Sequence, residues 1–307
     1  MKARVIYNPS AGMRTAREQL EAAATELHGR GWSLDMVETV RPGQAVEFAR
    51  QAAERMFDAV IAVGGDGTLN EAANGLVDST TALGVLPLGT VNVWAKEMGL
   101  PPDDLRLGAR LLADAPVRRI DVGEVCGPTI ARRVFVLCCG VGLDAAITRE
   151  VEPQRETKRR FGALLYWLVG IRRAWSYRGK PATLEFDDRR VRRRVILALA
   201  ANTQLYGGIV RIAPDARVDD GALDLVVFRG TGVLATASHL LRVLVGSHLR
   251  DPQVEVYRTR CVQIKGKNLP VHVDAEPVGF TPLEIRVRPR ALRVLVPKTA
   301  NARLFGG

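Results

Sequence analysis

The sequence predicts an α/β fold: an N-terminal α/β domain with a parallel sheet, followed by an antiparallel β-sandwich domain. Three observations support this. Short apolar strands alternate with single helical segments through roughly the first 125 residues, which implies parallel strands covered by helices on both faces. After about residue 120 the pattern shifts to closely spaced strands, several of them strictly alternating, as in an antiparallel sandwich. The 307 residues, nearly half of them apolar, favour two cores over one. The expected division is 1–124 for the α/β domain and 125–307 for the β-sandwich domain, with the extreme C-terminus packing back on the first.

In chain order, Val5–Tyr7 is a short apolar strand followed by Asn8-Pro9-Ser10-Ala11-Gly12. Arg14–Arg30 has helical periodicity, with Leu20, Ala24 and Leu27 on one face and Gly31 ending it. Trp32–Val37 reads as strand, Gln44–Arg55 as helix and Asp58–Val63 as a buried strand. A further helix follows, then the strand Leu83–Leu86. In the second half, Val134–Cys139, Ala182–Phe186, Val195–Ala201, Leu223–Phe228, Val254–Tyr257, Cys261–Lys265, Leu269–Val273, Leu283–Val287 and Leu292–Val296 read as strands. Helical stretches at about Lys158–Tyr177 and Val233–Val245 interrupt them.

The 44 Lys and Arg residues exceed the 33 Asp and Glu, leaving +11, which suits an anionic partner such as nucleic acid, an anionic membrane surface or a phosphorylated ligand. A nucleic-acid partner is not expected: no recognition motif is present, and aromatics are sparse for base stacking. Cys126, Cys138, Cys139 and Cys261 form no C-x-x-C pair, so neither a zinc site nor a disulfide framework is predicted, in keeping with a reducing compartment. No signal-peptide core precedes the first strand, and the longest apolar run, Gly162–Ile171, is too short to span a bilayer. The expectation is a cytoplasmic protein that meets membranes only peripherally. A homodimer is compatible with the sequence, which carries no direct mark of oligomeric state.

The strongest chemical signal is the apolar strand Ala59–Val63 running into Gly64-Gly65-Asp66-Gly67-Thr68-Leu69-Asn70-Glu71. Glycines allow close approach of a ligand to the backbone, and the N–H groups of a helix start favour phosphate. Asp66 is placed to help hold Mg²⁺ through water. The T-x-x-E spacing of Thr68 and Glu71 predicts a capping box with the helix starting at Leu69. Two further turns, Asn8–Gly12 and Gly89-Thr90-Val91-Asn92, also follow strands, and in an open α/β sheet all three would converge on one crevice. A second candidate is Asp274-Ala275-Glu276: if extended, Asp274 and Glu276 share a face as paired carboxylates for proton transfer, while an acidic β-turn accounts for the same residues equally well.

Together these segments resemble the diacylglycerol kinase catalytic-domain family, which includes sphingosine and ceramide kinases and whose fold is akin to that of NAD kinases. The likeness covers nearly the whole chain and is closest to small soluble bacterial lipid kinases. It is carried by Asn8-Pro9-x-Ala11-Gly12, Gly64–Thr68, Pro87-Leu88-Gly89-Thr90-x-Asn92, Asp121-Val122-Gly123, Gly140–Ala145, Asp219–Asp224 and Asp274-x-Glu276. The resemblance implies an ATP- and Mg²⁺-dependent kinase of a membrane lipid, most naturally diacylglycerol, with its site in the cleft between the domains. By the same resemblance, Asn8, Thr39, Gly64, Gly65, Asp66, Gly67, Thr68, Leu69, Asn70 and Thr90 contact nucleotide. Asp66 and Asp121 support the catalytic Mg²⁺, Asp274 is the general base beside Glu276, and Asp144 meets the lipid head group. A structural Mg²⁺ falls to Asp220 and to the carbonyls of Arg217 and Ala222.

Two positions depart from the family pattern. Ala275 stands where glycine is usual, which is costly if that residue needs φ > 0. Val93 stands where many members have an acid. Both favour a rival reading as a nucleotide- or lipid-binding pseudokinase, and a kinase of a soluble substrate is the other alternative. The basic and apolar stretch Arg155–Lys180 reads either as a membrane-interface helix or as a core-packing helix. The run Arg189–Arg194 reads either as a phosphate patch or as a solvated hairpin edge.

Overall fold

The computed structural model describes residues 1–8, 16–88, 92–151, 172 and 177–306. The chain forms two compact units. The first comprises Met1–Val122, Val218–Asp220 and Pro289–Gly307; the second comprises Gly123–Arg217 and Gly221–Arg288.

In the first unit, β1 (Lys2–Tyr7), α1 (Ala16–Gly29), β2 (Ser33–Glu38), α2 (Gln44–Glu54), β3 (Ala59–Gly64), α3 (Asp66–Leu76) and β4 (Ala82–Pro87) alternate as the sequence pattern predicts. The short α4 (Val93–Glu97) and α5 (Leu105–Ala113) follow. The strands pair in parallel in the order β2-β1-β3-β4. Every residue of β3 and β4 is buried, as befits central strands covered on both faces. α3 lies against α2 so closely that a Cβ on Gly75 would stand 2.5 Å from the Val46 carbonyl oxygen.

In the second unit the strands pair antiparallel. β5 (Val117–Gly127) and β6 (Ile130–Phe135) form a hairpin, and β7 (Cys138–Gly142) leads into α6 (Leu143–Val151). β8 (Lys180–Glu185) and the long β9 (Arg190–Ala201) form a second hairpin. The small pair β10 (Leu205–Tyr206) and β11 (Val210–Arg211) precedes β12 (Leu223–Arg229). After α7 (Gly232–Leu244) come β13 (Val254–Thr259), β14 (Cys261–Gly266), β15 (Pro270–Val273), β16 (Glu276–Phe280) and β17 (Leu283–Leu295). Residues 117–122 of β5 and 289–295 of β17 belong to the first unit, where Val294 pairs in parallel with Leu83 of β4. β9 pairs β8 through Arg190–Val195 and pairs β7 and β12 through its later residues, so one strand serves two layers. Phe135, Leu184, Val195, Leu225, Val262, Ile264, Val271 and Ile285 fill the core.

Several elements differ from the sequence reading. Val134–Cys139 is not one strand: the ladder stops after Phe135 and resumes at Cys138, because the intervening N–H groups turn to a side chain far along the chain. Leu283–Val287 and Leu292–Val296 are not two strands: one strand, β17, runs through both as far as Leu295, bent at Arg290 with φ 50°. β5, β16, α5 and α6 are absent from the sequence reading. α3 begins at Asp66, not at Leu69, and Thr68 makes no capping box. Glu71 instead accepts the Gly43 and Ala45 N–H groups at 2.9 and 3.1 Å, capping α2. The Arg189–Arg194 run lies on the β8–β9 hairpin, where Arg190 pairs with Glu185 and Arg193 with Glu255. The stretch read as a helix at Lys158–Tyr177 falls almost wholly outside the described residues.

Helix propensity alone favours Gly75→Ala by about 1 kcal/mol. The 2.5 Å approach to Val46 reverses the sign, and the variant should lose about 1–3 kcal/mol in denaturant unfolding.

Candidate functional site

The carboxyl ends of β1, β2 and β3 lie together. The Asn8 N–H donates to the Val63 carbonyl, and the Thr39 N–H and hydroxyl both reach the Tyr7 carbonyl, at 2.9 and 3.3 Å. α3 starts directly after β3. Its N-cap, Gly65, is extended and offers no side-chain cap. Among the described residues, a Cβ on Gly65 or Gly67 would meet nothing within 4 Å, whereas one on Gly64 would strike the Thr68 hydroxyl at 2.6 Å. The turn is therefore held tightly at Gly64 and opens at Gly65 and Gly67. Gly65, Asp66 and Thr68 are half-buried and Gly67 is exposed. Leu69 and Asn70 are each 1% exposed, so they hold the turn from below rather than line it.

The Asp66 carboxylate reaches the start of α4. Both its oxygens accept the Val93 N–H at 3.0 Å, and Oδ1 also takes that of Trp94, so Asp66 holds the start of α4. Asn92 completes this joint: its Nδ2 donates to the Gly64 carbonyl at 3.1 Å and its Oδ1 accepts the Ala95 N–H. Asn92 stood in the sequence motif without an assigned part. Thr90 lies outside the described residues, as do the later residues of the Asn8–Gly12 motif.

Asp121 is fully buried, with its carboxylate accepting the Arg290 N–H at 2.7 Å. Its backbone N–H donates to Val218. Arg217 is exposed, and Asp220 and Ala222 lie half-buried on the turn entering β12. Asp219, beside them, accepts the Gly306 N–H at 2.7 Å.

In the second unit, β15 and β16 form a hairpin whose turn is Asp274-Ala275, with Val273 opposite Glu276. Both turn residues are left-handed, with φ 45° and 65°. Asp274 and Glu276 are thus not alternate residues of one strand, and the expected shared face is lost. Their carboxylates have different partners: Glu276 pairs with Arg133, whereas Asp274 points into the gap between β6 and β7. There Oδ2 accepts the Val136 N–H at 2.9 Å, and Oδ1 accepts those of Leu137 and Cys138 at 3.0 and 2.8 Å. Asn202 braces the same segment, donating Nδ2 to the Val136 carbonyl at 2.8 Å and its backbone N–H to that of Leu137.

Behind this turn lies a polar cluster that the sequence reading missed except for Asp144. His272 Nδ1 accepts the Ala275 N–H at 3.2 Å, and Nε2 meets Asp144 Oδ2. The Tyr206 hydroxyl donates to Asp144 Oδ1. A Cβ on Gly140 would stand 2.2 Å from His272 Nε2, so glycine there leaves room for the pair. Burial alone would raise Asp144, but His272 and the Tyr206 hydroxyl hold it below the ordinary carboxylate value. Burial alone would lower His272, but the Asp144 charge raises it. The Ala275 N–H opposes that charge, since it needs Nδ1 unprotonated. Burial, aided by the Asp274 and Asp144 charges, pushes the Cys139 thiol well above its usual value, so it stays a neutral core group. The alternation of Val271, His272 and Val273 contained no sign that the histidine would face a carboxylate more than a hundred residues away.

A parallel α/β unit with a glycine-lined helix start, and an antiparallel unit with an amide-held carboxylate turn, define a phosphotransferase of the NAD kinase and diacylglycerol kinase architecture. Comparison with known proteins agrees. Residues 2–125 match the diacylglycerol kinase catalytic domain, and residues 138–296 match the YegS C-terminal NAD kinase beta sandwich-like domain. The diacylglycerol kinase of Bacillus subtilis (strain 168) is 30% identical over 300 residues, 97% of each chain. That of Staphylococcus haemolyticus (strain JCSC1435) is 28% identical over 96% of this chain and 88% of its own length. The crystal structure of a diacylglycerol kinase from Bacillus anthracis str. Sterne superposes with a TM-score of 0.75 at 21% identity, covering 97% of this chain and 98% of that one. This chain belongs to the diacylglycerol kinase catalytic-domain family.

Ala275 adopts the conformation that glycine adopts without a Cβ penalty. Ala275→Gly should raise the unfolding free energy by about 1 kcal/mol, read as a higher denaturant midpoint with unchanged slope.

Proposed function

We propose that this chain is an ATP-dependent lipid kinase that transfers the γ-phosphate to the hydroxyl of diacylglycerol, giving phosphatidic acid and ADP. The observation that carries this reading is the α3 start. The N-cap of this eleven-residue helix is a glycine that brings no capping side chain, and a Cβ on Gly65 or Gly67 would meet none of the described residues within 4 Å. Such a helix end attracts phosphate through both its N–H groups and its dipole. Gly65, Gly67 and Thr68 are the residues we assign to the nucleotide phosphates. Gly64, Leu69 and Asn70 shape the turn, and Asn8 and Thr39 sit at the neighbouring strand ends. The relatives named diacylglycerol kinase support the choice of lipid over a soluble acceptor.

Mg²⁺ fits one of its two expected carboxylates better than the other. Asp66 is half-buried beside the phosphate turn, and magnesium usually keeps several waters while resting on substrate phosphates and one or two carboxylates. Asp121 has no exposed surface and is bonded to Arg290, so we assign it to holding β17 in place. Magnesium held at Asp66 would supply charge neutralisation for the phosphoryl group in transfer. Asp220, with the carbonyls of Arg217 and Ala222, remains our assignment for a second, structural ion.

Asp274 is the proposed proton acceptor. The lipid hydroxyl gives its proton to the carboxylate as its oxygen bonds to the γ-phosphorus, and the bond to the β–γ bridging oxygen breaks. Glu276, fixed by Arg133, shapes the same hairpin. Asp144 acts from behind, through His272 and the Ala275 N–H, to keep the turn in its left-handed form. The lipid substrate also requires contact with a membrane surface.

With radiolabelled ATP and diacylglycerol in mixed micelles, the wild-type protein should form labelled phosphatidic acid. Asp274→Asn should cut that turnover by at least about a hundredfold. ATP binding should stay within about twofold, because the nucleotide residues belong to the first unit. An unfolding midpoint confirms that the variant is native. Turnover near wild type in this variant would remove Asp274 from the chemistry.

A further inference from the structure

Helix α7 is mounted with its polar side inward. Thr236 and His239 are its buried residues. The Thr236 hydroxyl donates to the Gly232 carbonyl at 3.1 Å, and His239 Nε2 bonds the Arg229 carbonyl at 2.8 Å. The His239 ring meets Phe228 edge-on, with centroids 5.3 Å apart, and its Nδ1 lies 3.5 Å from Asp251. Just past the helix, His248 stacks on the same phenylalanine and bonds the Ile212 carbonyl at 3.0 Å. These directional contacts fix the rotation of the helix about its axis; rolling it would bury leucines at the cost of stripping His239 of its partner.

The outward face carries the apolar residues. Leu234, Leu241 and Val245 fall in one line at helical spacing and are 86%, 63% and 67% exposed, with Leu244 beside them at 46%. Ile209, next to β11, and Leu249 are exposed as well. A helix on a water-facing surface ordinarily shows the reverse pattern, and a clustered apolar face of this kind marks an interaction surface.

The charges indicate the partner. Arg242 pairs with Asp251 at 3.3 Å and Arg229 with Glu255 at 3.4 Å, and the exposed Arg250 adds a further positive charge at the end of the segment. Apolar side chains flanked by arginine suit the boundary between acyl chains and anionic head groups. We infer that the Leu234–Leu241–Val245 face of α7 docks onto an anionic lipid bilayer, seating its leucines at the acyl boundary. This inference rests on the lipid-kinase reading, since that substrate resides in a bilayer.

The test uses the full chain with vesicles of phosphatidylcholine, alone or mixed with phosphatidylglycerol. The wild-type protein should co-sediment with the mixed vesicles. The double variant L234E/L241E should bind them about tenfold more weakly or worse. Both positions are exposed, so its unfolding midpoint should match wild type. A separate L241W variant should show a blue shift in tryptophan emission on adding mixed vesicles. Turnover of short-chain diacylglycerol in detergent should be unchanged in the double variant. Failure of the wild-type protein in that detergent assay would count against the kinase reading, while vesicle binding still reports on the docking face. Equal vesicle binding by wild type and double variant would overturn the proposal. So would a solution dimer that L234E/L241E dissociates without weakening vesicle binding, since the face would then join two copies of the chain.

Discussion

Both candidate site turns depend on one kind of interaction, a carboxylate that collects backbone N–H groups from a distant segment. Asp66 takes those of Val93 and Trp94, and Asp274 takes those of Val136, Leu137 and Cys138. Charge-assisted bonds of this type are stronger than neutral ones, and a buried amide left without a partner costs about 1–3 kcal/mol. Asp274 thus stands in for a stretch of strand ladder, and Asp66 for the partners that a helix start lacks. The N-cap position of α3 is Gly65, which brings no side chain of its own to the amides of the first turn.

The hairpin turn in the second unit is strained in a manner that serves a site. Two consecutive non-glycine residues hold positive φ, and several contacts oppose their relaxation: three amides on the Asp274 carboxylate, the Ala275 N–H on His272, and Asn202 behind Val136 and Leu137. Backbone strain of this kind persists only where surrounding contacts over-determine it. Alanine at 275 is therefore a tolerable departure from the glycine usual in the family, because the turn keeps its geometry. The weight of the pseudokinase alternative falls accordingly on Val93, which contributes its N–H to Asp66 and has no side-chain oxygen to offer a metal.

Local patterns in the chain made the α/β alternation, the β3–turn–α3 unit and most later strands legible, since each is set by periodicity within about ten residues. Long-range polar contacts were not legible. The T-x-x-E spacing at Thr68 and Glu71 matched a local cap, yet Glu71 caps α2 through residues 26 and 28 positions earlier. Val134–Cys139 looked like one apolar strand because the carboxylate that interrupts it lies 136 or more residues away. α7 was found from its apolar content, but its orientation depends on His239 and Phe228 and appears only in three dimensions. Asp144 came from family likeness; its partners His272 and Tyr206 came from the fold.

The proposed kinase activity requires that the glycine-lined start of α3 receive the nucleotide's phosphates. The direct measurement is an amide-resolved NMR titration of the protein with ATP and Mg²⁺. The largest shifts should fall on the N–H groups of Gly65, Gly67 and Thr68, with smaller ones at Thr39. Saturable ATP binding that leaves those three amides unmoved would contradict it.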